Sequence, residues 1–180
     1  MRKKYERRGV PSPGLNPLQL KALHLRKTIV PATMYTLATP NKSDYPTLLA
    51  IWEASVRATH HFLHEGAVEF FKKIIQENEV FDQVKLTVVR DADPMILGFM
   101  GVSEHRLEML FLAPEARGKG IGKILLRHAI DNLGITHVDV NEQNGEALKF
   151  YEKAGFRVIS RSELDGTGKP YPILHMQLPA

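Results

Sequence analysis

Apolar residues recur along this chain with two periods, and each period marks one kind of element. From Tyr45 onward, Leu48, Leu49, Trp52 and Val56 fall three or four apart, the spacing of one helix face. The spacing returns over about 66–76, with Val68, Phe71, Ile74 and Ile75. It returns again over 120–133, with Ile121, Ile124, Leu125 and Ile130 expected inward, and a fourth helix is expected over 145–153. Short runs rich in Val, Ile, Leu, Phe and Tyr read as strands at 35–39, 85–89, 95–102, 106–112, 137–140, 156–160 and 173–178. Asp91-Ala92-Asp93-Pro94 is a turn that makes a hairpin of the second and third runs. The predicted order is β-α-α-β-β-β-α-β-α-β-β. Its late strand-helix-strand crossover implies one parallel pair of right-handed connection. The expected class is α/β in mixed form (α+β), and ligands of such sheets bind past the carboxyl ends of diverging strands.

Composition narrows the chemistry. The chain has 180 residues, 43% hydrophobic, enough for one domain with a full core. It has no cysteine, which removes disulfides, thiolate metal sites and a cysteine nucleophile. No apolar run is as long as the roughly 18–20 residues of a membrane helix, and the basic start lacks a signal-peptide core. A cytoplasmic protein with no membrane partner is expected. The net charge of +4 hides an asymmetry: residues 1–33 hold eight Lys/Arg against Glu6 alone, and the rest of the chain is mildly acidic. Residues 1–33, broken by Pro11, Pro13, Gly14 and Pro17, read as a basic, disordered extension, and 34–180 as the domain. Nucleic-acid binding by the domain gains no support from this distribution.

The candidate chemistry sits in two stretches. Arg117-Gly118-Lys119-Gly120-Ile121-Gly122 follows a strand and opens a helix. Glycines there turn backbone N–H groups outward, and a helix N-terminus favours anions, with Arg117, Lys119 and Lys123 adding charge. A dinucleotide fingerprint would need glycine at 123, and a phosphate-binding P-loop would need Ser or Thr at 124; neither is present. The second stretch is Asn144, Ala147, Phe150-Tyr151 and Gly155-Phe156.

Residues 107–156 resemble the cofactor core of the GNAT N-acetyltransferase superfamily. Arg117, Gly120 and Gly122 match its Arg/Gln-x-x-Gly-x-Gly/Ala element, and the second stretch matches its Asn-x-x-Ala-x-x-Phe-Tyr-x-x-x-Gly-Phe element. The closing run 161–176, and Ser55-Val56 with Ala58-Thr59-His60 and Phe62-Leu63, resemble the small bacterial YjaB-type members. The resemblance implies a mostly antiparallel twisted sheet with one splayed parallel pair and helices on both faces. It implies an acetyl-CoA-dependent N-acetyltransferase. Backbone groups of Phe111 and Leu112 would pair with the pantetheine amides, amides from Arg117 through Gly118, Lys119, Gly120 and Ile121 to Gly122 would hold the pyrophosphate, and Asn144 would fix the pantetheine arm. Tyr151 would be the acid on the departing sulfur. The acceptor would be a peptidyl lysine or, failing that, a small amine.

Other roles rest on the residues themselves. Glu108 lies in the otherwise apolar run 107–112, where burial would raise its pKa toward that of a working base; water is the other candidate. By the YjaB-type resemblance His60 could line the acceptor pocket or assist as base, with Trp52, Phe62 and His175 near it. His60 and His64 stand at helical i, i+4 spacing, but no third ligand accompanies them and no metal is expected. The rival reading is a non-catalytic acyl-CoA-binding or sensing module, which would need neither Tyr151 nor Glu108. The sequence is compatible with a monomer or a homodimer.

Overall fold

The computed structural model describes residues 35–179. The expectation for residues 1–33 lies outside them. Seven strands form one sheet: β1 (Thr36–Ala38), β2 (Lys85–Arg90), β3 (Ile96–Ser103), β4 (Arg106–Leu112), β5 (His137–Asn141), β6 (Arg157–Ser162) and β7 (Ile173–Gln177). Four helices accompany them: α1 (Tyr45–Thr59), α2 (Glu65–Glu77), α3 (Ile121–Leu133) and α4 (Gly145–Lys153). The strand order is β1-β2-β3-β4-β5-β7-β6. Every neighbouring pair is antiparallel except β4 and β5.

That parallel pair is short. Arg106 faces His137 and Leu107 faces Val138, and there the pairing stops, although β4 runs on to Leu112 and β5 to Asn141. The two strands diverge where a ligand is expected. On its other edge β4 stays paired with β3 as far as Leu112 opposite Gly98. The β3–β4 register shifts between Gly101 opposite Met109 and Val102 opposite Leu107, which leaves Glu108 as the extra residue of a β-bulge. A bulge re-aims side chains and breaks the in–out alternation.

Helices cover both faces. Phe111 stacks toward Phe99, Phe99 meets Phe81 edge-on, and Phe81 meets Tyr45 at the start of α1, so α1 lies on that face. Leu112 points to the opposite face. There it reaches Gly122 in the first turn of α3, beside Phe150 of α4. The core runs through both layers, with Phe99, Phe156, Leu48, Ile121 and Leu125 fully buried. Truncating one of those phenylalanines to Ala is worth roughly 3–5 kcal/mol. Ile124, expected inward, is 37% exposed, and the α3 stripe is completed instead by Leu126 and Ala129. Among the described residues no helix is long and apolar enough to cross a membrane.

Candidate active site

The loop between β4 and α3 shows why it needs glycine. Gly118 and Gly120 have φ of +74° and +83°, a region costly for residues with a Cβ. A Cβ at either would meet nothing within 4 Å, because both face the open mouth of a cleft of about 370 Å³. The amides of Gly118, Lys119, Gly120, Ile121 and Gly122 meet no backbone acceptor among the described residues, whereas that of Arg117 turns back to the Pro114 carbonyl at 3.3 Å. Four of these residues, Gly118, Gly120, Ile121 and Gly122, line the cleft at a helix N-terminus, and with a bare cradle in front of two of them they fit a diphosphate. Arg117 and Lys123 line the cleft and Lys119 does not. The Arg117 guanidinium is also held by Glu146 in the first turn of α4, so part of its charge is already compensated.

The cleft continues into the split in the sheet. A cavity of about 110 Å³ lies between residues 107–111 of β4 and 138–141 of β5. Tyr151 lines both spaces, and its hydroxyl makes no side-chain hydrogen bond among the described residues. Burial pushes its pKa well above the ordinary phenol range. The group is therefore a hydrogen-bond donor at any working pH.

Glu108 also lines the split, but it is not the buried acid that its neighbours suggested. The bulge turns its side chain outward to an exposed position. Its pKa is still raised, first by partial desolvation, with Asp139 pushing it up and Arg106 pulling it down.

Asn144 is the N-cap of α4. Its Oδ1 accepts the Ala147 amide at 3.1 Å, and its Nδ2 lies 3.5 Å from His60 Nε2. His60 ends α1, and residues 60–64 form the turn to α2, so His60 and His64 do not share a helix. His64 caps α2 through Nδ1 and the Ala67 amide. The tautomer of His60 follows from its partners. Thr59 Oγ1 donates to the Ser55 carbonyl at 2.7 Å, so toward His60 Nδ1, also at 2.7 Å, it can only accept. Nδ1 carries the hydrogen and Nε2 the lone pair. Burial lowers the pKa of His60 to about 4, keeping it neutral.

On the α1/α2 side lies a third space, a chamber of about 310 Å³ whose lining includes Trp52 and Phe62. His60 and Phe111 line all three spaces. His175 lines none of them, against expectation. Its Nδ1 lies 2.8 Å from Asp139 Oδ1 and its Nε2 2.8 Å from Ser162 Oγ. The β7 register places it opposite Asp139. Ser55, Thr59 and Glu146 line the cleft and were not read as site residues. A signal existed for two of them: Ser55 and Thr59 are hydroxyls four apart on the apolar stripe of α1. Among the described residues no group of three or more His, Asp or Glu side chains is arranged to hold a metal ion.

Residues 58–178 match the family model of the acetyltransferase (GNAT) domain. The chain is 41% identical over 133 residues to the peptidyl-lysine N-acetyltransferase YjaB of Salmonella typhimurium, covering 73% of this chain and 90% of that protein. It is 38% identical over 129 residues to the Escherichia coli protein of the same name, covering 72% of this chain and 86% of that one. Among solved structures, the apo form of Escherichia coli YjaB superposes with a TM-score of 0.73 at 34% identity, covering 79% of this chain and 96% of that one. The PaiA N-acetyltransferase of Thermoplasma acidophilum, solved with coenzyme A, shares the fold with a TM-score of 0.65 at 22% identity, covering 81% of this chain and 99% of that one. With the divided sheet and its glycine loop, these likenesses establish that the chain belongs to the GNAT acetyltransferase family.

Proposed function

We propose that the chain transfers the acetyl group of acetyl-CoA directly to the side-chain amine of a peptidyl lysine. The observation that carries this reading is the split itself. It has free amides at one end, the Tyr151 hydroxyl and Glu108 along it, and an acceptor chamber opening beyond. The printed names of the YjaB relatives support the choice of acceptor.

The chemistry follows from the groups present. A lysine ammonium has a pKa of about 10.4, so neutralising it at pH 7 costs roughly 4–5 kcal/mol. Glu108, with its raised pKa and access to solvent, takes that proton directly or through water. The amine nitrogen then attacks the thioester carbonyl, and the carbon–sulfur bond breaks as the tetrahedral adduct collapses. The leaving thiolate belongs to a thiol of pKa about 8.5, below that of the buried Tyr151. Tyr151 therefore stabilises the sulfur by a hydrogen bond, and the proton shed by the new amide leaves through Glu108 or solvent.

Thiol release from acetyl-CoA with a lysine-peptide panel tests the reading. Tyr151→Phe is expected to lower kcat by about 10- to 100-fold while coenzyme A affinity holds. Tight coenzyme A binding without turnover on any amine would overturn the reading in favour of a sensing module.

A further inference from the structure

The chamber beyond the split is apolar to an unusual degree for a site that must receive a cation. Fourteen residues line it, and only Asn141 and Asp165 among them are neither apolar nor aromatic. Its wall is a run of rings: His60 against Phe62, Phe62 against Tyr171, and Tyr171 against Phe71, with centroids 5.3, 6.2 and 6.1 Å apart. Tyr171 belongs to the connection between β6 and β7, which is tied to α2 where Lys169 Nζ sits 4.2 Å over the Phe70 ring.

The one carboxylate in the chamber lining is held in place through one of its two oxygens. Asp165 Oδ1 accepts from the Thr167 amide, the Thr167 hydroxyl and the Lys169 amide, at 2.8, 2.8 and 2.9 Å. Glu108 and Asp139 line the split and not the chamber. A second ammonium entering the chamber would exchange water for a largely apolar wall, with Asp165 as the single carboxylate in the lining to meet it. An apolar ring or branched alkyl group would bury its surface against the wall at no such cost.

We infer that the acceptor is an amine carried on an apolar body of aryl or branched-alkyl size, which fills this chamber while the reacting nitrogen lies where the chamber meets the split, at His60 and Phe111. The inference rests on the proposed acetyl transfer and adds the substrate class. The same body can be supplied by a small arylalkylamine or by a bulky apolar residue adjacent to the lysine in a peptide. His60 suits the junction: its Nε2 lone pair, met in this structure only by Asn144 Nδ2 at a long 3.5 Å, can accept a hydrogen bond from the amine in its place, and its neutrality adds no repulsion.

The test uses the full chain, acetyl-CoA and four acceptors: two lysine peptides differing only in a Phe or Ser beside the lysine, phenethylamine and spermidine. The expected result is at least a tenfold higher kcat/KM for the Phe peptide over the Ser peptide, for phenethylamine over spermidine, or for both. Which pair shows the preference identifies the source of the apolar body. Leu63→Trp, which fills the chamber, should abolish the preference through KM and leave coenzyme A affinity unchanged. Ile74→Asn, with Tm monitored, is a second variant of the wall and should reduce the same preference. Equal rates within both pairs, or a preference untouched by a folded chamber variant, would overturn the inference and leave acetyl transfer standing. Failure to bind coenzyme A and to modify any amine would overturn the transfer reading and the inference with it.

Discussion

At the glycine end of the cleft, the groups available for recognition are main-chain amides of five successive residues, 118–122. At the chamber end they are side chains scattered from Trp52 to Ile173, brought together by two helices, three strands and the β6–β7 connection. The difference decides what can change. A main-chain site tolerates almost any side chain that leaves the backbone path intact, so its demands concentrate on φ angles. A side-chain site can be re-lined one residue at a time. The first end suits a ligand common to many reactions, and the second suits a partner that varies.

Three measurements would break or sharpen this contrast. The largest effect is expected from Gly120→Val. It puts a branched residue at a φ of +83° and fills the open cradle, so coenzyme A affinity should fall about 100-fold or more, beyond the roughly 1–2 kcal/mol of backbone strain alone. Calorimetric titration checks it, and an unchanged Kd would remove the amides from the binding site. Next comes Glu108→Gln, at the meeting point of the two ends. It should reduce kcat/KM about 30- to 100-fold for every acceptor and remove the acid limb of the pH profile. That limb in the parent should lie above the ordinary carboxylate range, because the Glu108 pKa is raised. Rates that survive across all pH would move the base to water.

The smallest effect concerns stability. The folded pKa of His60 is lowered to about 4, so between that value and the unfolded value near 6.5 the unfolded chain binds more protons. Stability should therefore fall on acidification through this window, by about 1 kcal/mol between pH 7 and pH 5 after allowance for partial solvent access. Urea unfolding at pH 7 and pH 5 would measure it, and His60→Gln should reduce the difference.

The strand and helix order was legible because each element carries a clean period, and the glycine loop because its residues are contiguous. What escaped depends on register and on turns. Glu108 reads as buried from neighbours that are all apolar, but the bulge between β3 and β4 exposes it, and a bulge has no signature in one strand's sequence. His175 looks like a pocket residue until the pairing of β5 with β7 sets it opposite Asp139. His60 and His64 keep helical spacing across a turn because residue counting cannot see where α1 stops. Ser55 and Thr59 were visible as hydroxyls on an apolar face, yet only the third dimension shows what lies in front of them.

Two rungs, Arg106–His137 and Leu107–Val138, are the only ladder among the described residues that joins the four-stranded part of the sheet to the three-stranded part. Past them the free edge of β4 faces an aqueous gap, and its amide hydrogens should exchange faster than those bonded to β3. An amide-bearing arm laid in that gap would splice the sheet, with the guest as a temporary strand. Loading the protein and stiffening it are then a single thermodynamic event, and each release of product returns the two parts to their looser seam.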